Sequence, residues 1–297
     1  GGHVWAVRDV TQQKLAEAAR DQFIDAATHE LRTPLANIKS SVEVLLDGWG
    51  YREDPTYNAI AAAKKPNFDK LWSTYPHALL EASGLAVGLP PGQMGNSEIG
   101  HTTIGAGAAI DTDLVRIGKD IARGTFGNNS AFVKLFDHVK KNNSTLHVQG
   151  LLGSGGVHSH SQHLFAFLKA AKAAGIPKVA IHIFTDGRDT PPQSAAQFTR
   201  ELEETLQTVG IGFIASISGR FFAMDRDNNW DRLSKVEQAL FKCEGNVCAV
   251  QTPSEFIEEL YKEGKFDEHL EPIVCLDNEG KGCSVQANDG IFFFNFR

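Results

Sequence analysis

Helical and strand-like segments alternate along the second half of this 297-residue chain, and this alternation constrains the fold more than any other feature. In chain order, the segments are a helix at 132–139, a strand at 145–152, a helix at 163–171, a strand at 179–184, a helix at 193–208 and a strand at 211–218. Strands joined by helices run parallel in one sheet. The pattern therefore predicts an α/β fold built on a parallel sheet.

Polar motifs follow the ends of these three strands. They are Gly155–His158, Asp186–Asp189 and Gly219-Arg220. Because ligands of open α/β sheets bind beyond the carboxyl ends of the strands, the three motifs should converge on one site. Arginine presents a planar fork of donors that matches phosphate and carboxylate oxygens. The sequence thus predicts a pocket for a small anionic molecule.

Two other interpretations of these residues stay open. The arginines that follow the strands could form ordinary surface ion pairs with the aspartates beside them. The three histidines within 158–163 suggest a zinc site at first sight. Metal sites need a fixed ligand set with supporting partners, so we do not favour zinc.

Composition excludes several classes of partner and location. The formal net charge of −7 argues against a nucleic-acid partner bound through bulk electrostatics. No apolar run approaches the length of a membrane span, and no signal peptide is visible. The four cysteines are few and unevenly spaced, so we expect reduced thiols in a cytoplasmic protein.

A different pattern occupies the first part of the chain. Apolar residues recur at alternating spacings of four and three, which is typical of a two- or four-helix bundle and predicts dimerisation through residues 12–42. These positions are Ile24, Thr28, Leu31, Leu35, Ile38, Val42 and Leu45. His29 lies beside this seam, so its imidazole should face solvent. An amphipathic helix with a surface histidine is the alternative.

Residues 29–35, His-Glu-Leu-Arg-Thr-Pro-Leu, resemble the phosphoacceptor box of sensor histidine kinases. The resemblance implies that His29 is a phosphoacceptor. Residues 4–11 similarly resemble the last strand of a sensory domain that precedes such kinases. No kinase-like ATP-binding motif follows, so another protein would have to phosphorylate His29.

Residues 44–297 resemble the cofactor-independent phosphoglycerate mutases. The resemblance is carried by separated motifs in the order of that family, at 47–50, 58–60, 66–69, 75–77, 81–84, 91–101, 105–107, 155–160, 186–192, 218–220, 224–227 and 293–297. It implies a parallel-sheet substrate domain at 112–297 and an incomplete alkaline-phosphatase-like α/β domain at 44–111. A helical histidine-kinase-like arm, residues 1–43, would precede them.

The resemblance also implies a reaction. Ser97 would take the phosphoryl group of 3-phosphoglycerate as a phosphoserine and return it to the 2-hydroxyl of the bound glycerate, giving 2-phosphoglycerate without 2,3-bisphosphoglycerate. Asp47 and Ser97 would bind a divalent metal, manganese, at part of the two metal sites of the family. Asp189 would transfer the proton. The substrate would be held by His158, Arg188, Asp189, Arg220, Arg226 and Arg297.

Two departures from the family pattern shape our expectations. The chain stops at Arg297, before the aspartate- and histidine-rich segment that completes the metal sites, so we expect it to be truncated and inactive by itself. Between residues 39 and 45, the kinase-like resemblance requires a helix and the mutase-like resemblance requires a strand. This conflict indicates a fusion point. The alternatives are a phosphorelay protein that carries a mutase-like domain and a junction that arose in gene assembly or prediction.

Overall fold

The computed structural model describes residues 50–93, 95, 97–248, 252–276 and 280–297. The predictions made for the helical arm, including the apolar seam and His29, lie outside these residues, and so does the predicted metal ligand Asp47. Within the described part, residues 116–297 form one compact unit and residues 50–115 belong to a second. The domain boundaries predicted at 43/44 and 111/112 stay predictions.

Helices and strands alternate through the larger unit. The described helices are α1 (Ala59–Ala62), α2 (Pro66–Thr74), α3 (Ser97–Ala106), α4 (Asp113–Ala122), α5 (Ser130–Asn142), α6 (Ser161–Ala173), α7 (Ala195–Val209), α8 (Arg220–Ala223), α9 (Trp230–Lys242) and α10 (Pro253–Lys262). The strands are β1 (Leu146–Leu151), β2 (Val179–Thr185), β3 (Phe213–Gly219), β4 (Asn246–Cys248), β5 (Ile273–Cys275) and β6 (Gly290–Phe293). Among the described helices, none has the length and apolar character needed to cross a membrane.

The predicted α/β fold is confirmed. Six strands form one sheet in the order β4-β5-β3-β2-β1-β6, and the central strands β1, β2 and β3 pair in parallel. The strands that the sequence did not predict lie at the two sides of this central group. Of these, β5 runs antiparallel to β3, while β4 and β6 are parallel to their neighbours.

The core of the larger unit lies between the central strands and the helices that connect them. Every residue of β2 is buried, as expected for a strand covered on both faces. Leu164, Phe167 and Leu168 of α6 are 0% exposed and belong to the same apolar cluster as apolar residues of β2. Burying each such side chain contributes about 1.5–3 kcal/mol, so this layer supplies much of the stability.

Helix ends in this unit follow local sequence signals. The side chain of Asn129 accepts a hydrogen bond from the Ala131 amide and so caps the start of α5. Left-handed residues end the helices: Asn143 after α5, with φ 47°, and Gly210 after α7, with φ 69°. Thr252 and Glu255 form a reciprocal capping box at the start of α10.

The described part of the smaller unit, residues 50–115, buries few apolar side chains. They are Val87, Leu89, Leu114 and Val115. Gly88 packs against the backbone of Ile110, since a Cβ atom there would lie 1.9 Å from the Ile110 carbonyl oxygen. The ring of Trp72 stacks on His77, with ring centroids 3.6 Å apart.

A buried polar chain crosses the three central strands. The Ser216 hydroxyl lies 2.8 Å from His182 Nδ1, His182 Nε2 lies 2.9 Å from His147 Nδ1, and His147 Nε2 lies 3.1 Å from Asp289 Oδ2. Both imidazoles are 1% exposed. If each histidine is neutral and carries its proton on Nε2, every contact is a hydrogen bond that points towards the Asp289 carboxylate.

Burial controls the titration of these two histidines. Desolvation, with a smaller contribution from His147, lowers the pKa of His182 to about 3. Desolvation also lowers the pKa of His147, although Asp289 opposes it. The unfolded chain therefore binds protons at these positions below about pH 6.5, where the folded chain does not.

This difference predicts that acid destabilises the fold. The contribution of neutral His182 is complete above about pH 7 and is lost as the pH falls from about 6.5 towards 3, at about 1.4 kcal/mol per pH unit. His182→Gln removes the titrating ring, so its free energy of unfolding should fall less steeply with acid. Urea denaturation at about pH 5, 6, 7 and 8 measures the slope.

Ser216→Ala is the matched control for this prediction. It removes one hydrogen bond of the chain but leaves both imidazoles in place. The variant should be less stable at every pH and keep the wild-type slope. Identical slopes for wild type and His182→Gln would contradict the prediction.

Candidate functional site

The candidate site lies where three neighbouring parallel strands end. A loop at 152–160 follows β1, a turn at 186–189 follows β2, and Arg220 begins α8 directly after β3. Because β3, β2 and β1 are adjacent in the sheet, their carboxyl ends bring these segments together.

The side chain of Arg220 connects the three segments. Its Nη1 donates to Asp186 Oδ1 at 2.6 Å and to Asp189 Oδ2 at 2.7 Å. Its Nη2 lies 3.1 Å from His158 Nε2. We call these four residues the Arg220 cluster. The prediction that the motifs converge on one site agrees with this geometry, while the role of each residue in binding stays a proposal.

Asp186 holds the cluster to the backbone. Its side chain is 3% exposed, and Oδ1 also accepts hydrogen bonds from the amides of Arg188 at 3.2 Å and Asp189 at 3.1 Å. One buried carboxylate therefore fixes both the turn after β2 and the guanidinium of Arg220. Asp186 was not among the predicted substrate-binding residues, and its place as the first residue after a buried strand was the available signal.

The loop that carries His158 is held at both ends. The amide and hydroxyl of Ser161 both donate to the Gly153 carbonyl at 2.9 Å, and the Ser159 hydroxyl donates to the Leu151 carbonyl. The last residues of the chain support the loop as well, because the Phe296 amide donates to the His158 carbonyl at 2.9 Å.

A segment at 267–270 lies beneath the other two loops. Thr185 donates to the Asp267 carbonyl, and the Gly219 amide donates to the Leu270 carbonyl at 2.7 Å. A Cβ atom on Gly219 would lie 2.4 Å from the Glu268 carbonyl oxygen, so only glycine fits before Arg220. This close packing fixes the direction in which the Arg220 side chain leaves the sheet.

The environment of His158 favours its neutral form. Partial burial and the positive charge of Arg220 lower its pKa, and Arg297 adds to this effect, while the Asp189 carboxylate opposes it. Since Arg220 has only donors, Nε2 of His158 must accept, which places the ring proton on Nδ1. The effect of Arg297 indicates that its charge lies near the cluster.

The remaining predicted site residues are less enclosed. Arg188 is 61% exposed, with Nη1 3.8 Å from Glu268 Oε1, and both Arg226 and Arg297 are exposed. Ser97 is the first residue of α3, in the smaller unit, and the description does not extend to its side chain.

The histidines that suggested zinc serve other purposes here. His160 caps α6 by accepting a hydrogen bond from the Gln162 amide at 3.2 Å. His163 is buried, and desolvation followed by the effect of His160 lowers its pKa to about 4. Among the described residues, no group of three or more histidine, cysteine, aspartate or glutamate side chains is placed to hold a metal ion. The four cysteines, all described, are free thiols.

Two family models match the chain. The model of the BPG-independent PGAM N-terminus matches residues 117–297, which contain the whole Arg220 cluster. The chain belongs to this family of phosphoglycerate mutases. The model of the His Kinase A (phospho-acceptor) domain matches residues 19–62. Both resemblances found in the sequence are thereby confirmed.

Curated relatives and one solved structure agree with the first match. A 2,3-bisphosphoglycerate-independent phosphoglycerate mutase of Francisella philomiragia is 45% identical over 260 residues, which are 87% of this chain and 50% of the relative. A mutase of the same name from Clostridium perfringens is 48% identical over 254 residues, which are 86% of this chain and 49% of the relative. The chain thus spans about half the length of these relatives.

One structural neighbour is a phosphoglycerate mutase of Leishmania mexicana, described as crystallised at low cobalt concentration. It superposes with a TM-score of 0.66 and 30% sequence identity, over 80% of this chain and 45% of the neighbour. The mutase family and the α/β fold therefore rest on agreement in both sequence and structure.

The electrostatics of the cluster predict a measurable change at His158. Arg220→Gln removes a positive charge 3.1 Å from Nε2 and leaves the two carboxylates, so the pKa of His158 should rise towards its usual range. Arg297→Gln should raise it by less, because its effect is smaller. An NMR titration of the His158 ring measures both, and an unchanged pKa in Arg220→Gln would contradict the geometry.

Proposed function

We propose that residues 116–297 are the phosphoglycerate-binding part of a mutase that interconverts 3-phosphoglycerate and 2-phosphoglycerate. The observation that carries this proposal is the Arg220 cluster at the carboxyl ends of three parallel strands, inside the segment that matches the mutase family. The activity implies a place in glycolysis or gluconeogenesis in the cytoplasm.

Each group of the site has a chemical task in this proposal. The Arg220 guanidinium binds a phosphate or carboxylate oxygen through paired hydrogen bonds. His158 contacts the same anion from the loop after β1. The exposed arginines at 188, 226 and 297 would contact the ligand as well. Together they would hold glycerate while the phosphoryl group is transferred.

Asp189 is our candidate for proton transfer. Its carboxylate lies within the cluster and is 21% exposed, so a bound hydroxyl group could reach it. General base catalysis needs such a group within hydrogen-bonding distance of the proton that it removes. In this proposal Asp189 takes the proton from the glycerate hydroxyl that attacks phosphorus and returns one to the hydroxyl that is released.

Ser97 is the proposed nucleophile, and a phosphoserine the proposed intermediate. A divalent metal, for which we expect manganese, would lower the pKa of the serine hydroxyl when bound. Its expected ligands are Asp47 and the Ser97 hydroxyl, both outside the described atoms, and the described residues contain no cluster that fits a metal.

Binding of 3-phosphoglycerate to the whole chain tests this proposal. We expect Arg220→Gln to weaken binding by about tenfold or more, because a charge-assisted hydrogen bond in a partly buried site is worth about 1.5–3 kcal/mol. Isothermal titration calorimetry at low salt measures the affinity.

Arg200→Gln is the matched control for this experiment. Arg200 also pairs with a carboxylate, Glu258 at 2.6 Å, but on the exposed faces of α7 and α10. It should bind 3-phosphoglycerate as the wild type does. Equal affinities for all three proteins would reject the Arg220 cluster as the binding site.

A second function is favoured by the match of residues 19–62 to the phospho-acceptor domain of histidine kinases. The chain would then be a phosphorelay protein, dimeric through residues 12–42, with His29 as phosphoacceptor and the mutase-like part as cargo or ligand sensor. The two functions occupy different segments, so both can be tested in one chain.

Phosphorylation of His29 is the test of this second function. A purified partner kinase with radiolabelled ATP should label the chain, and His29→Gln should remove the label. His77→Gln, which changes an exposed histidine of the described part, should leave it in place. No label on the wild type, or a label that survives His29→Gln, would reject the phosphorelay function.

A further inference from the structure

We propose that Asp189 is an internal competitor for the anionic ligand: its carboxylate occupies Arg220 in the free chain and is displaced when a phosphate or carboxylate oxygen binds. The inference rests on the proposed function, because it concerns the same site. It assigns different parts to the two aspartates that share Nη1 of Arg220.

The two aspartates are held very differently. Asp186 is 3% exposed, and its Oδ1 accepts from two backbone amides as well as from Arg220. Asp189 is 21% exposed, and the hydrogen bond that its carboxylate accepts within the described structure comes from Arg220. Moving Asp186 would break three hydrogen bonds and leave a buried charge without a partner. Moving Asp189 breaks one hydrogen bond, and its partly exposed carboxylate can be hydrated instead. Asp189 is therefore the exchangeable partner.

The charge of the cluster favours such an exchange. Two carboxylates, one guanidinium and a neutral imidazole sum to one negative charge, which the nearby charge of Arg297 offsets. Arg188, on the same turn, is 61% exposed and lies nearest to Glu268, so it does not neutralise the cluster in the free chain. An anion that entered without displacing a carboxylate would be repelled by the Asp189 carboxylate beside it. Release of Asp189 from Arg220 removes one negative charge from the position that the ligand takes.

The donors of the site point the same way. His158, Asp186 and Asp189 line a small surface pocket. Arg220 gives its Nη1 to the two aspartates and its Nη2 to His158. Both N–H groups of Nη1 are thus in use, so an anion that binds Nη1 must take over one of these two bonds.

Displacement would couple binding to catalysis. While Oδ2 of Asp189 accepts a hydrogen bond from Arg220, that oxygen is not available to accept a proton from the ligand. Once released, it can accept the proton of the glycerate hydroxyl as that oxygen bonds to phosphorus and the bond from phosphorus to the serine oxygen breaks. The base would become available only when the ligand is in place.

Anion binding to single variants of the whole chain tests the inference. Isothermal titration calorimetry at low salt and about pH 8 uses two probes, inorganic phosphate and 3-phosphoglycerate. Asp189→Asn should bind phosphate about three- to tenfold tighter than the wild type, since the neutral amide competes less for Arg220. Asp186→Asn should bind it about tenfold more weakly or worse, because Arg220 loses its anchor.

Two further variants guard against trivial explanations. Asp189→Ser removes the competing group altogether and should tighten phosphate binding as Asp189→Asn does. Glu258→Gln neutralises a carboxylate that pairs with Arg200 at the surface and should behave as the wild type. Thermal unfolding of each variant shows whether it is folded under the conditions of the titration.

The outcomes separate this inference from the proposed function. The proposal that Asp189 competes for Arg220 is overturned if phosphate affinity stays equal or falls in both Asp189 variants. It is also overturned if none of the proteins binds either anion. If both Asp189 variants bind phosphate more tightly but none of the proteins prefers 3-phosphoglycerate to phosphate, the competitor stands and the proposed substrate is wrong. If both Asp189 variants bind phosphate and 3-phosphoglycerate more tightly than the wild type does, the result supports both the competition by Asp189 and the proposed function.

Discussion

The parallel pairing of β1, β2 and β3 is the constraint on which the rest of the larger unit depends. Parallel strands bring their carboxyl ends to one edge of the sheet, so the residues that follow them become neighbours although they are far apart in the sequence. Asp186 and His158 lie 34 and 62 residues before Arg220 in the sequence, yet both are within hydrogen-bonding distance of its guanidinium. The helices between the strands bury the sheet on both faces and hold this register.

The sheet is stabilised by polar as well as apolar groups. Strands β1, β2 and β3 share a buried line of imidazoles and a hydroxyl that ends on the Asp289 carboxylate, just before β6. The same β6 leads to Asn295, whose side chain accepts from the Leu151 amide at 2.9 Å, and on to the loop of His158. Interactions at one end of the sheet thus help to place a segment at the other end. Because this line of contacts requires neutral histidines, its contribution to stability depends on pH.

Much of the architecture could be predicted because local sequence patterns determine where the helices and longer strands form. The helices and strands predicted between residues 132 and 218 were found within a few residues of their predicted ends, since apolar periodicity and glycine or proline stops act over short distances. The short strands β4, β5 and β6 were missed, because three or four residues carry too little periodicity to be recognised. Their strand form depends on pairing with neighbours already in the sheet. The antiparallel direction of β5 has the same origin.

The sequence by itself determined the family, the α/β class and the set of residues from which an anion site is made, because each depends on residue type and order. Only the tertiary structure decided how those residues share their charges. It paired Arg220 with two aspartates of unequal burial, placed His158 as a neutral acceptor, and left Arg188 at the surface beside Glu268. These outcomes depend on distances and solvent exposure between loops that are far apart in the chain, and electrostatic energies change steeply with both.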